Sequence, residues 1–146
     1  MASVSTYLNF PRQTEEAFSF YKSVFGGEFA GNGLMRFSAA PPVEGMKPLA
    51  DDEKNLVMHV SLPILGGAHT LMGSDSPQSH GYNVVTGNNF HITLVPDTKE
   101  ETKRLFEGLS KGGKVTMPLQ DTFWGAYYGQ CTDKFGVQWM FNFENK

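Results

Sequence analysis

The chain has 146 residues and a formal net charge of -3, a length that suits one domain with a core large enough to need no staples. Its 12 basic residues are scattered, which argues against a nucleic-acid footprint, and no apolar run approaches the roughly 20 residues of a membrane span. Residues 1–6 carry no charged and then apolar leader, and the lone Cys131 cannot close an intrachain disulfide, so a cytoplasmic location is expected.

In chain order, a strand is predicted over Val4–Phe10. A helix follows, opened by Thr14-Glu15-Glu16, with Ala17, Phe20, Tyr21, Val24 and Phe25 on one face at helical spacing. Gly26-Gly27 ends it, because glycine takes the left-handed C-cap conformation without a Cβ penalty. Three β-like segments come next: Glu28–Phe37, Asn55–Leu62 and His69–Gly73. The loop Ser38–Lys54 is rich in proline and acidic residues, and Ser74–Gly87 is rich in serine, glycine and asparagine.

The same order then returns. Phe90–Val95 is a predicted strand, and a second helix starts at Thr98, where Glu101 stands at the spacing of a capping box. Leu105, Phe106 and Leu109 form its apolar face and Gly112-Gly113 stops it. Strands follow at Lys114–Pro118, Trp124–Thr132 and Val137–Phe143. The predicted fold class is therefore α+β, a single domain of two βαβββ modules at about 1–75 and 88–146 with a linker over 76–87. One module alone leaves an open, half-buried sheet face, and pairing two closes a cupped eight-stranded mixed sheet with a helix outside each half.

Several stretches carry a family likeness: Tyr7-Leu8-Asn9-Phe10, Glu16-Ala17-Phe18-Ser19-Phe20-Tyr21, Val24-Phe25-Gly26-Gly27-Glu28, Met58-His59, Leu71-Met72-Gly73-Ser74-Asp75 and Phe123-Trp124-Gly125. Asp133-Lys134-Phe135-Gly136-Val137-Gln138-Trp139 completes the set. Over nearly its whole length the chain resembles the vicinal oxygen chelate superfamily of glyoxalases, bleomycin-resistance proteins and extradiol dioxygenases. It looks most like the PhnB-like branch, also labelled 3-demethylubiquinone methyltransferase-like. The methyltransferase label finds no support in the residues, because no glycine-rich loop opens a helix after a parallel strand.

The resemblance implies a glyoxalase-like cup that binds a small molecule, commonly in a homodimer, with no nucleic acid or membrane partner. In metal-dependent members, the first and last strand of each module supply one ligand each. His91 stands where the family's histidine does. Counting along the motifs puts Thr6, Leu71 or Met72 with Asp75 nearby, and Met140 at the other three places. One good ligand of four is left, so no cofactor is expected. The alternative is a divalent metal ion in a rearranged site around His91, rescued by His59 or Glu144, in a glyoxalase- or dioxygenase-like lyase or oxidoreductase.

Strand alternation proposes what lines the cup. His91 shares a face with Thr93 and Val95, and His59 with Ser61. Trp124, Ala126 and Tyr128 face one way and Tyr127, Gly129 and Cys131 the other. Gln138, Met140 and Asn142 lie opposite Val137, Trp139, Phe141 and Phe143, the expected core set. The predicted ligand-binding residues are thus His91, Thr6, His59, Trp124, Tyr128, Gln138, Met140 and Asn142. His91 also has a plainer reading, a half-buried imidazole bonded to a neighbouring hydroxyl or amide. His69 and His80 are expected to be exposed near loops, Asp51-Asp52-Glu53 to be solvated, and Cys131 to be a buried thiol. The function these readings favour is metal-free binding of a small molecule.

Overall fold

In the computed structural model residues 2–40, 45 and 48–145 are described, so part of the Ser38–Lys54 loop (41–44 and 46–47) lies outside them. The chain divides into two compact units, Met1–Val85 and Thr86–Lys146. Among the described residues no helix is long and apolar enough to cross a membrane.

The first unit runs β1 (Thr6–Phe10), α1 (Thr14–Phe25), β2 (Met35–Arg36), β3 (Val57–Ile64) and β4 (His69–Asp75). The strand order is β1-β4-β3-β2, with β1 and β4 parallel and the remaining pairs antiparallel. The second unit repeats the path with β5 (Ile92–Leu94), α2 (Lys99–Ser110), β6 (Lys114–Asp121), β7 (Ala126–Thr132) and β8 (Gln138–Glu144), in the order β5-β8-β7-β6. The α+β class and the double βαβββ pattern read from the sequence are present.

In each unit the helix covers one side of its sheet. Thr14, Ala17, Phe18, Tyr21 and Val24 are the buried stripe of α1. Phe18 therefore replaces Phe20 and Phe25 of the predicted face, since both of those are only half-buried. On α2 the stripe is Thr102, Leu105, Phe106 and Leu109. Strand residues of matching parity meet them: Leu8, Phe10, Val60, Leu62 and Leu71 in the first unit, Ile92, Leu94, Trp139 and Phe141 in the second. Burying each large apolar side chain contributes about 1.5–3 kcal/mol, so these stripes hold each helix on its sheet.

The two helices begin differently. Thr98 Oγ1 accepts the Glu101 amide at 3.0 Å, as predicted, but the Glu101 carboxylate turns forward to Arg104 instead of completing a capping box. For α1, Gln13 gives no side-chain cap. The Thr14 amide instead donates to Asp75 Oδ1 at 3.0 Å, and Asp75 Oδ2 accepts the Val57 amide at 2.9 Å. One buried carboxylate thus ties the end of β4 to the starts of α1 and β3.

Several predicted boundaries move for local reasons. The strand expected at Glu28–Phe37 shrinks to Met35–Arg36, because Gly31 and Gly33 take φ of +61° and +77°, outside extended backbone. In the second half β6 runs on through Pro118 to Asp121, with register shifts against β7 that accommodate the proline. Trp124 leaves its predicted strand for the turn that precedes β7, where Gly125 donates to the Thr122 carbonyl at 3.2 Å.

Candidate functional site

The side of the second sheet turned away from α2 is polar. Buried Ile92 and Leu94 send Thr93 to that face, and His91, one residue before β5, falls on the same side of the alternation. On β8, half-buried Gln138, Met140 and Asn142 alternate with buried Trp139 and Phe141. Register places Thr93 beside Met140, Met140 beside Gln130, and Asn142 beside Tyr128. Thr93 Oγ1 donates to Met140 Sδ at 3.7 Å, and Gln130 Nε2 donates to Tyr128 Oη at 2.8 Å. Gln138 Nε2 donates to the Phe90 carbonyl at 2.6 Å, which pins the chain entering β5. Trp124 stands edge-on to Tyr128, with ring centroids 6.1 Å apart, and is 58 % exposed.

Five of the predicted residues, Tyr128, Gln138, Met140, Asn142 and His91, thus share one face, and Trp124 stands at its rim. Gln130 was overlooked in the sequence, although it lies two residues from Tyr128 and the same alternation finds it. Among the described residues neither the His91 imidazole nor the Asn142 amide has a hydrogen-bond partner.

In the first unit the equivalent face holds Tyr7, His59, Ser61 and Met72, with Tyr7 and Ser61 each in register with Met72. Tyr7 Oη lies 3.3 Å from His59 Nδ1, and Ser61 Oγ lies 3.5 Å from His59 Nε2. Thr6 does not join them. It shares the helix-covered side with Leu8 and Phe10, and its Oγ1 lies 2.8 Å from His69 Nε2. A step of one residue on a strand reverses the face, so Tyr7 takes the place that counting gave to Thr6. His69 is accordingly half-buried and bonded, and His80, also half-buried, packs edge-on against Phe37.

The buried acidic groups are already engaged. Asp75 spends both oxygens on backbone amides, as described above. Glu53 is only 2 % exposed, unlike its solvated neighbours Asp51 and Asp52. Its carboxylate accepts from the Ser79 hydroxyl and amide and from the Ala50 amide. The Ser79 hydroxyl in particular holds its pKa below the usual carboxylate range. Asp133 accepts from the Phe135 and Val137 amides and from Trp139 Nε1 at 2.9 Å, and so organises the β7–β8 turn. Burial, helped by the Asp133 charge, pushes the Cys131 thiol up to about 12. Glu144 is exposed at the end of β8. Among the described residues no three His, Cys, Asp or Glu side chains gather as a metal-binding group.

Known proteins resemble this chain in sequence and fold. A family model for the glyoxalase/bleomycin resistance protein/dioxygenase superfamily matches residues 6–141. Protein YjdN of Escherichia coli K12 is 33% identical over 144 residues, 95% of this chain and 93% of YjdN. This chain belongs to that superfamily. The crystal structure of protein PA1353 from Pseudomonas aeruginosa shares 36% identity at a TM-score of 0.83, with both chains fully covered. A PhnB protein from Bacillus cereus is 24% identical at a TM-score of 0.73, covering 97% of this chain and 99% of its own, and shares the fold.

For a vicinal oxygen chelate chain, the donor set can be compared with what a divalent ion needs. Imidazoles and carboxylates suit the metals of such open sites, whereas a thioether suits soft ions. The β8 place holds Met140 and the β4 face holds Met72, while Asp75 is turned inward onto amides. His91 is the one imidazole at these places, and among the described residues no group of three His, Cys, Asp or Glu side chains forms.

Proposed function

We propose that this vicinal oxygen chelate chain is a small-molecule-binding protein that works without the divalent ion of its catalytic relatives, and that the polar face of β5, β7 and β8 receives the ligand. The observation that carries the reading is the unused hydrogen-bonding capacity of half-buried His91 and Asn142 beside Met140. Both side chains remain accessible, so a bound molecule could supply their partners. The amides of Gln130, Gln138 and Asn142 offer donors and acceptors without charge. Trp124 and Tyr128 offer rings for stacking. That combination suits a planar, uncharged ligand bearing carbonyl or heteroaromatic nitrogen groups. By the same family likeness the working form is a homodimer, which sedimentation tests.

The decisive measurement is the metal content of protein purified without a metal-binding tag, beside a His91→Ala variant. Substoichiometric metal, together with ligand-induced thermal shifts that a chelator leaves unchanged, is the expected result. A stoichiometric divalent ion that disappears in His91→Ala would overturn it and favour a metalloenzyme built around His91. Asn142→Ala should weaken any ligand found by about tenfold, the loss of a typical hydrogen bond at a site left unpaired.

A further inference from the structure

The first sheet carries a group of side chains that the reading above does not use. On the face away from α1, the His59 imidazole lies between two hydroxyls, with Tyr7 Oη 3.3 Å from Nδ1 and Ser61 Oγ 3.5 Å from Nε2. The Tyr7 and His59 rings lie 5.8 Å apart, tilted by 35°. Tyr7 is 46% exposed, so the group is open to a ligand.

Proton counting shows what such a chain can do. In neutral imidazole one nitrogen donates and the other accepts, so one of the two hydroxyls must spend its proton on the ring. Only the other hydroxyl is left to donate outward. In imidazolium both nitrogens donate, both hydroxyl oxygens accept from the ring, and both O–H groups are released to point outward. Protonation thus adds a positive charge and a second outward donor at one stroke.

Among the described residues of the first unit no carboxylate is paired with that ring. Within the first unit, β1, β2 and β4 offer this face Tyr7, Met35, Met72 and Ser74. None of these is a carboxylate or a basic side chain. Arg36 is next to Met35 but its guanidinium is engaged with Glu15 and the Asn55 carbonyl. Among the described residues His59 takes part in no ion pair.

We propose that Tyr7, His59 and Ser61 form a proton-linked binding site for a small carboxylate, filled when His59 is protonated. The anion supplies the missing countercharge and accepts the two freed hydroxyl protons, which are charge-assisted contacts of the stronger kind. The proposal rests on the reading of the chain as a small-molecule binder and extends it to the other sheet.

The test uses the full chain, benzoate as the probe, and proton NMR of the histidine rings. Saturating benzoate should raise the His59 titration midpoint by about one pH unit, because a ligand that prefers the protonated form stabilises it. Benzoate should bind about tenfold more tightly at about pH 5.5 than at about pH 8. His59→Gln keeps hydrogen-bonding groups but cannot charge, and should bind at the weak alkaline level at both pH values. Tyr7→Phe and Ser61→Ala should each weaken acid-pH binding by roughly threefold to tenfold while His59 still titrates. Thermal melts confirm that each variant is folded. An unmoved His59 midpoint, or wild-type acid-pH binding by His59→Gln, overturns the proposal. If benzoate fails while uncharged ligands perturb Asn142 and Met140 resonances, this site falls alone; if nothing binds either sheet, both readings fall.

Discussion

In the first unit Gly73 stands on β4 beside Leu8, and in the second Phe141 stands on β8 beside Leu94. Each lies under an aromatic ring from the covering helix. A Cβ on Gly73 would come within 2.5 Å of Phe18 Cε1, so there the helix supplies the volume and the strand yields it. In the second unit Phe106 meets Phe141 edge-to-face with centroids 5.2 Å apart, and both elements contribute. One backbone path therefore accepts two divisions of the same filling task. Such latitude is expected where cores need close packing but not a particular set of side chains.

Substitutions can break this contrast. Phe141→Ala should have the largest effect, about 3–5 kcal/mol of unfolding free energy by urea titration, because it leaves a cavity under Phe106. Gly73→Ala should cost about 1–3 kcal/mol by overpacking. Adding Phe18→Leu should recover part of that loss, and no recovery would contradict the account of Gly73. The helix starts provide a finer comparison. Thr98→Ala should cost about 1 kcal/mol, whereas Gln13→Ala should cost almost nothing, because Asp75 does the capping in the first unit.

The smallest effect concerns acid. Glu53 has its folded pKa lowered, chiefly by the Ser79 hydroxyl. Its contribution to stability is therefore present above the unfolded carboxyl value, near 4.3, and is lost as pH falls through the folded value. Ser79→Ala should bring the two values together and raise the acid-unfolding midpoint by less than about one pH unit. A midpoint that does not move would remove Ser79 from the account.

The alternation of apolar residues made both βαβββ units legible, and the Thr98 hydroxyl and the paired glycines marked helix ends correctly. On β8, where Trp139 and Phe141 fix the parity, the face holding Gln138, Met140 and Asn142 was readable as well. The first unit was harder to place from sequence. Counting from a helix motif missed the β1 face by one residue, exchanging Thr6 for Tyr7. Tyr7 is itself aromatic, so polarity alone did not identify the open side. Glu53 sits in an acidic run that resembles solvated loop, and its burial depends on Ser79, far along the chain. Asp75 likewise looked like a spare ligand until the fold brought the Thr14 and Val57 amides to it. Contacts of that sequence separation leave no local periodicity.

Cys131 gives the second unit an internal reporter. With its thiol fully buried and pushed up to about 12, the native chain offers a thiol reagent almost no thiolate near pH 8. Once the β7–β8 hairpin opens, the same sulfur returns toward its ordinary value near 8.5 and reacts. The rate of labelling therefore reports opening around that hairpin, as its frequency where labelling outruns reclosing and as its equilibrium where reclosing is faster, with no probe added to the protein.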